Sequence, residues 1–133
     1  SDGDSLRLAD GSRIRLHAID APELGQSCTD ASGASWPCGE RAKARLAEMI
    51  AGKAVTCKVM DHDRYGREVA DCSAPEIPDI NAALVREGWA VALRLDGRRR
   101  HADEEAEARS AKRGIWQGGF KRPAEWRAGH PRG

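Results

Sequence analysis

The sequence predicts an α+β fold in which four or five short strands interleave with three helices around a small curled sheet. Alternating polar and apolar residues flank two tight-turn sites, Asp10-Gly11 and Tyr65-Gly66, as hairpins require. Three other stretches carry helical spacing or helix-end chemistry, and no regular strand-helix-strand alternation joins them. The 133 residues suit one domain, and 40% hydrophobic residues together with 14 Gly argue against disorder. Apolar runs extend only a few residues, whereas a membrane helix needs about 20.

The elements follow in order. Residues 6–8 and 13–18 alternate around Asp10-Gly11 and predict a first hairpin. Residues 24–38, rich in Gly, Ser, Asp and Cys, lack periodicity and predict a loop. Ala42, Leu46, Met49 and Ile50 lie at helical spacing within 39–50, with Gly52 as the stop. Residues 54–73 predict a second hairpin around Tyr65-Gly66. Asp79 then caps a short helix running through Ala83, Leu84 and Val85 to Gly88, and residues 89–95 predict another strand. Within 102–113, Asp103, Glu104 and Glu105 open a helix that Lys112 and Arg113 close, matching the helix dipole, with Gly114 beyond.

The 22 basic and 21 acidic residues leave a net charge of +1, which hides local separation. Seventeen of the basic residues are Arg, the side chain that binds phosphate and carboxylate bidentately. They cluster at Arg98, Arg99 and Arg100 and in a tail bearing Lys121, Arg122, Arg127 and Arg132; a solvated basic edge is the alternative for either cluster. Cys28, Cys38, Cys57 and Cys72 contain no C-x-x-C pair, which argues against zinc. The second hairpin sets Cys57 opposite Cys72, close enough for a cross-strand disulfide, and leaves Cys28 and Cys38 to staple the loop. Two disulfides imply an oxidising compartment; four reduced, buried thiols in a cytosolic protein are the alternative.

Asp2-Gly3-Asp4 and Asp20-Ala21-Pro22-Glu23 flank the first hairpin, whose folding brings Asp4 toward Asp20. Carboxylates without neighbouring His or Cys suit a hard cation such as Ca²⁺ or Mg²⁺. Each fragment alone also reads as an ordinary turn. Arg15, just before Asp20, and Arg67, just after the second turn, are available to clamp a phosphate, or to form surface salt bridges.

Asp2-Gly3-Asp4-Ser5, Ile14-Arg15-Leu16, Ile19-Asp20-Ala21-Pro22-Glu23, Asp63-Arg64-Tyr65-Gly66-Arg67, Leu84-Val85-Arg86-Glu87-Gly88 and Gly114-Ile115-Trp116 occur in this order. The series resembles the staphylococcal nuclease, or thermonuclease, family over roughly residues 2–116. The resemblance implies a five-stranded OB-type barrel with three helices, and Ca²⁺-dependent hydrolysis of DNA and RNA, single strands preferred, to 3′-phosphate ends. It implies Asp4, Asp20 and the Ala21 carbonyl as metal ligands, and Glu23 as the residue that orients or deprotonates the attacking water. Arg15 and Arg67 resemble the phosphate-binding pair, with Arg64 and Tyr65 beside the nucleotide.

Ala21 stands where the family often has Thr, and Ala92-Leu93-Arg94-Leu95 lacks the tyrosines of the nucleotide pocket. The family's first strand is longer ahead of Asp2-Gly3-Asp4, where only Ser1 precedes here, so a shortened strand and an open barrel edge are expected. The expected whole is one nuclease domain over 1–133 with a basic tail at about 117–133, secreted or periplasmic, without a membrane partner. The rival expectation is a catalytically idle module on the same fold that binds nucleic acid or protein; a domain with merely solvated charges is a third.

Overall fold

The computed structural model of the chain describes residues 2–131; Ser1 and Arg132, named above, lie outside the described residues, as does Gly133. Strands β1 (Ser5–Arg7) and β2 (Arg13–Leu16) form the first hairpin, with Leu6 opposite Ile14. Asp10 Oδ1 accepts the Ser12 amide at 2.8 Å, and Gly11 supplies the positive φ of 91°. β2 continues into β3 (Ile19–Asp20) through Ala18, whose φ of 66° bends the chain. On one side of the bend the His17 amide donates to Ala70 O at 2.8 Å, and on the other the Leu93 amide donates to Ala18 O at 2.9 Å. One run of residues thereby serves two sheets.

Strands β4 (Cys28–Thr29) and β5 (Ser35–Trp36) form a ribbon inside the segment expected to be loop. At two residues each they are too short to show a period. Helix α1 (Cys38–Ile50) follows, burying Ala42, Leu46 and Met49. β6 (Thr56–His62) and β7 (Glu68–Ser73) form the second hairpin, with a register shift between Val59 and Asp61. Since β7 also pairs parallel with β2, the sheet order is β1-β2-β7-β6.

Helix α2 (Ile80–Arg86) opens at Asp79, whose carboxylate accepts the Ala82 amide at 2.9 Å. Buried Asn81 accepts the Cys72 amide at 3.2 Å and donates to His17 O and Ala70 O at 2.9 and 3.1 Å, fastening α2 to the sheet. The expected strand at 89–95 contracts to β8 (Val91–Ala92), paired with β3. Helix α3 (Ala102–Ala111) stops two residues sooner than expected, because Lys112 turns left-handed with φ of 54°. A 3₁₀ turn, Gly114–Gln117, leads to helix α4 (Pro123–Gly129), a fourth helix where the sequence suggested only a basic tail. Among the described residues the strands form one four-stranded sheet and two two-stranded ladders.

The main core joins Leu6, Ile14, Leu16 and Ile19 to Leu46, Met49, Ile80, Leu84 and Val85, so α1 and α2 pack on the strands that carry the acids. Each such fully buried side chain contributes about 1.5–3 kcal/mol. A smaller cluster gathers Val91 and Ile115 around the Cys28–Cys38 disulfide, beside Trp36, Trp116 and Phe120. Cys57 and Cys72 face one another in register and form the second disulfide. No helix among the described residues is long and apolar enough to cross a membrane.

Candidate active site

The first hairpin and the bend at Ala18 place three charged side chains together. Asp4 immediately precedes β1, Arg15 lies on β2 and Asp20 ends β3. The Leu16 amide donates to Asp4 O at 2.8 Å, and the Ala21 amide donates to Asp4 Oδ2 at 2.8 Å. Arg15 lies between the acids, with Nη1 3.4 Å from Asp4 Oδ2 and Nη2 3.3 Å from Asp20 Oδ1. Both carboxylates are buried, Asp4 being 4% and Asp20 2% exposed, so their charges depend on partners rather than water. Burial pushes the Asp4 carboxyl above its ordinary value, against the pull of Arg15 and the Ala21 amide.

Glu23 follows in the loop after β3. Its amide donates to Gln26 Oε1 at 3.1 Å, and its carbonyl accepts the Gln26 amide at 2.8 Å. Gly39, in the first turn of α1, comes so close to the Glu23 carbonyl that no β-carbon would fit. The Glu23 carboxyl is raised, chiefly by burial and then by the hydrogen bond it shares with Asp2, with Arg127 opposing the shift. A raised pKa moves a carboxylate toward the range in which it serves as a base near neutral pH.

The turn between β6 and β7 presents Arg67. Asp63 Oδ1 accepts the Tyr65 and Arg67 amides at 2.9 Å each, while Asp63 Oδ2 accepts Arg67 Nε at 2.7 Å. Arg67 Nη1 reaches Ser5 Oγ at 3.4 Å, and Ser5 Oγ in turn donates to Asp4 Oδ1 at 3.3 Å. Arg67 thus joins the cluster through one hydroxyl. Arg64 lies over the Tyr65 ring at 5.1 Å, and Tyr65 is 61% exposed. This exposed pair stands at the turn tip, outside the buried carboxylate group.

Sequence reasoning missed the role of Arg127. Helix α4 sends its guanidinium onto both oxygens of Asp20, Nη1 to Oδ1 at 3.1 Å and Nη2 to Oδ2 at 3.0 Å, while Nη1 also donates to Glu23 Oε1 at 2.9 Å. The bond to Asp20, and secondarily that to Glu23, holds Arg127 protonated well beyond its ordinary range. The available signal was Pro123 at a first helical position with Glu125 after it, which marks a helix start.

The basic clusters divide between two hollows. A groove of about 360 Å³ beside Asp20 is lined by Leu93, Arg94, Arg99, Arg122 and Pro123 among others. A larger hollow of about 680 Å³ is lined by His17, Asp61, Leu95, Arg98 and Arg100 among others, and contains none of the clustered acids. The smaller groove is the one that meets Asp20. Arg99 and Arg100 are themselves paired, with Glu105 and Asp71 respectively.

Asp4 and Asp20 offer carboxylate oxygens, the donor chemistry that a hard divalent cation takes, and Arg15 and Arg127 are bonded to those oxygens. Among the described residues no group of three or more His, Cys, Asp or Glu is gathered for metal binding.

Residues 13–118 match the family described as staphylococcal nuclease homologue. The chain belongs to the staphylococcal nuclease family. It is 38% identical over 117 residues to the Succinoglycan biosynthesis protein ExoI of Rhizobium meliloti (strain 1021), covering 87% of this chain and 61% of that protein. It is 35% identical over 122 residues to the Probable staphylococcal-like nuclease CAN2 of Oryza sativa subsp. japonica, covering 90% and 30% respectively. Micrococcal nuclease of Shigella flexneri is 32% identical over 148 residues, covering 94% of this chain and 79% of that protein. The chain therefore spans about three fifths of the Rhizobium relative and under a third of the rice one.

Proposed function

We propose that residues 1–133 act as a single nuclease domain that hydrolyses phosphodiester bonds of DNA and RNA with Ca²⁺, leaving 3′-phosphate ends, in a secreted or periplasmic setting. The observation that carries this reading is Arg15 held between two buried carboxylates, with Arg67 linked to the same cluster through Ser5. Family membership supports the enzyme class and an OB-type arrangement of the strands; the two disulfides support the oxidising setting.

Asp4, Asp20 and the Ala21 carbonyl would hold the cation, which when bound would supply charge neutralisation at the phosphoryl oxygens. Glu23 orients a water and takes its proton as the water attacks phosphorus. The bond from phosphorus to the 5′ oxygen breaks, the 5′ oxygen takes a proton from solvent water, and the phosphate stays on the 3′ side. Arg15 and Arg67 compensate the charge that accumulates at phosphorus. Arg64 and Tyr65 border the nucleotide.

A second reading, an idle binding module for nucleic acid or protein, draws on Arg127, which already occupies Asp20 and Glu23. Incubation with single-stranded DNA, with Ca²⁺ or with chelator, separates the two. Digestion that stops on chelation is expected; binding without cleavage in Ca²⁺ supports the idle module, and undiminished digestion after chelation overturns the mechanism.

A further inference from the structure

The Arg127 guanidinium covers both oxygens of Asp20, one of the two carboxylates assigned to the cation, and the same Nη1 reaches Glu23. A cation that takes an Asp20 oxygen competes with this fork for the same lone pairs. Helix α4 has other attachments. Gln26 Nε2 donates to Lys121 O at 2.6 Å, Pro123 is buried, and the Trp126 ring edge packs where a Gly25 β-carbon would lie 3.8 Å from it. The Arg127 side chain is itself 45% exposed, so it can swing away while the helix stays seated.

We propose that Arg127 is a positioning residue acting as a tethered internal cation: it holds Asp20 and Glu23 together in the metal-free chain and gives up Asp20 when a divalent cation binds. The inference rests on the cation site of the proposed function. Arg15 differs in kind, because it lies between Asp4 and Asp20 and also donates to Leu16 O at 2.9 Å, which ties it to the hairpin. Arg127 arrives from a helix more than a hundred residues further along the chain, so its charge can withdraw without disturbing the strands.

The test is calorimetric titration of Ca²⁺ into the full chain, comparing wild type with Arg127→Gln, Arg127→Lys, Trp126→Ala, and Arg109→Gln as a control for net charge. Loss of a competing charge at hydrogen-bond distance is expected to tighten Ca²⁺ binding on the order of tenfold in Arg127→Gln. Arg127→Lys, which keeps the charge and loses the fork, is expected to fall between. Trp126→Ala loosens the helix without touching the acids and is expected to shift affinity in the same direction as Arg127→Gln. Without Ca²⁺, Arg127→Gln is expected to melt below wild type, and saturating Ca²⁺ to narrow that gap. Equal or weaker Ca²⁺ binding in Arg127→Gln overturns the inference and leaves the cation requirement standing. Equal tightening in Arg109→Gln also overturns it, since net charge then suffices. Binding by none of the proteins overturns both the inference and the cation-dependent function.

Discussion

Gly88 and Gly114 meet backbone to backbone, the Ile115 amide donating to Gly88 O at 2.9 Å. Both have positive φ, 84° and 53°, and a β-carbon on either would run into the facing main chain. One closes α2 and the other opens the 3₁₀ turn, so their contact fixes how the C-terminal third returns to the sheet. Gly88→Ala and Gly114→Ala are each expected to cost about 2 kcal/mol or more, combining strain with a clash that flexible side chains cannot relieve. Urea unfolding measures it; losses below about 0.5 kcal/mol in both would show that the backbones part easily.

Arg15→Lys, Arg67→Lys and Glu23→Gln are expected to slow turnover about a hundredfold or more while changing stability by about 1 kcal/mol or less. A lysine keeps the charge and loses the fork. Parallel nuclease assays and melts check this, and unchanged turnover in all three variants would remove the assigned roles.

His101 is 4% exposed, and its Nε2 is buried without a partner among the described residues. Burial holds its pKa below the ordinary 6.5, with Arg100 adding to the shift and Asp79, Glu104 and Asp71 opposing it. The folded chain therefore resists protonation more than the unfolded chain does. This contribution is complete above about pH 6.5 and lost as the pH falls through 6.5 toward the lower folded value. His101→Gln is expected to show a flatter dependence of melting temperature on pH just below 6.5. Superimposable slopes in the two proteins would contradict it.

The Cys57–Cys72 bond has a sequence separation of 15, for which restriction of the unfolded chain is worth about 3 kcal/mol. The Cys28–Cys38 separation is 10. Reduction is expected to lower the melting temperature by several degrees or more, and peptide mapping of unreduced protein to recover these two linked pairs. Four free thiols, or a Cys28–Cys57 peptide, would refute the pairing and weaken the case for export.

Elements with their own chemical signal were legible in the sequence. Ala42, Leu46 and Met49 give α1 a buried stripe, Asp79 caps α2, and the second hairpin's register sets Cys57 opposite Cys72. Helix α4 carries no comparable stripe, since Pro123 is its only buried residue and it is held by contacts with the loop around Gln26. The pairing of Asp4, Arg15 and Asp20 follows from folding one hairpin, whereas Arg127 lies 107 positions from Asp20, and the Pro123 signal marks its helix without marking that contact. The β3–β8 ladder was equally hidden, because its strands have two residues each and the bend at Ala18 has no glycine to mark it.

Both covalent cross-links are local, and their spans do not overlap. A protease that cuts within 29–37 or 58–71 leaves one covalently continuous molecule. A cut within 94–100, where exposed arginines offer trypsin its sites, leaves two pieces joined only by non-covalent contacts. The acids Asp4, Asp20 and Glu23 would stay on the larger piece and Arg127 would depart with the smaller. Limited tryptic cleavage at that one place would thus convert an intramolecular cation into a dissociable one.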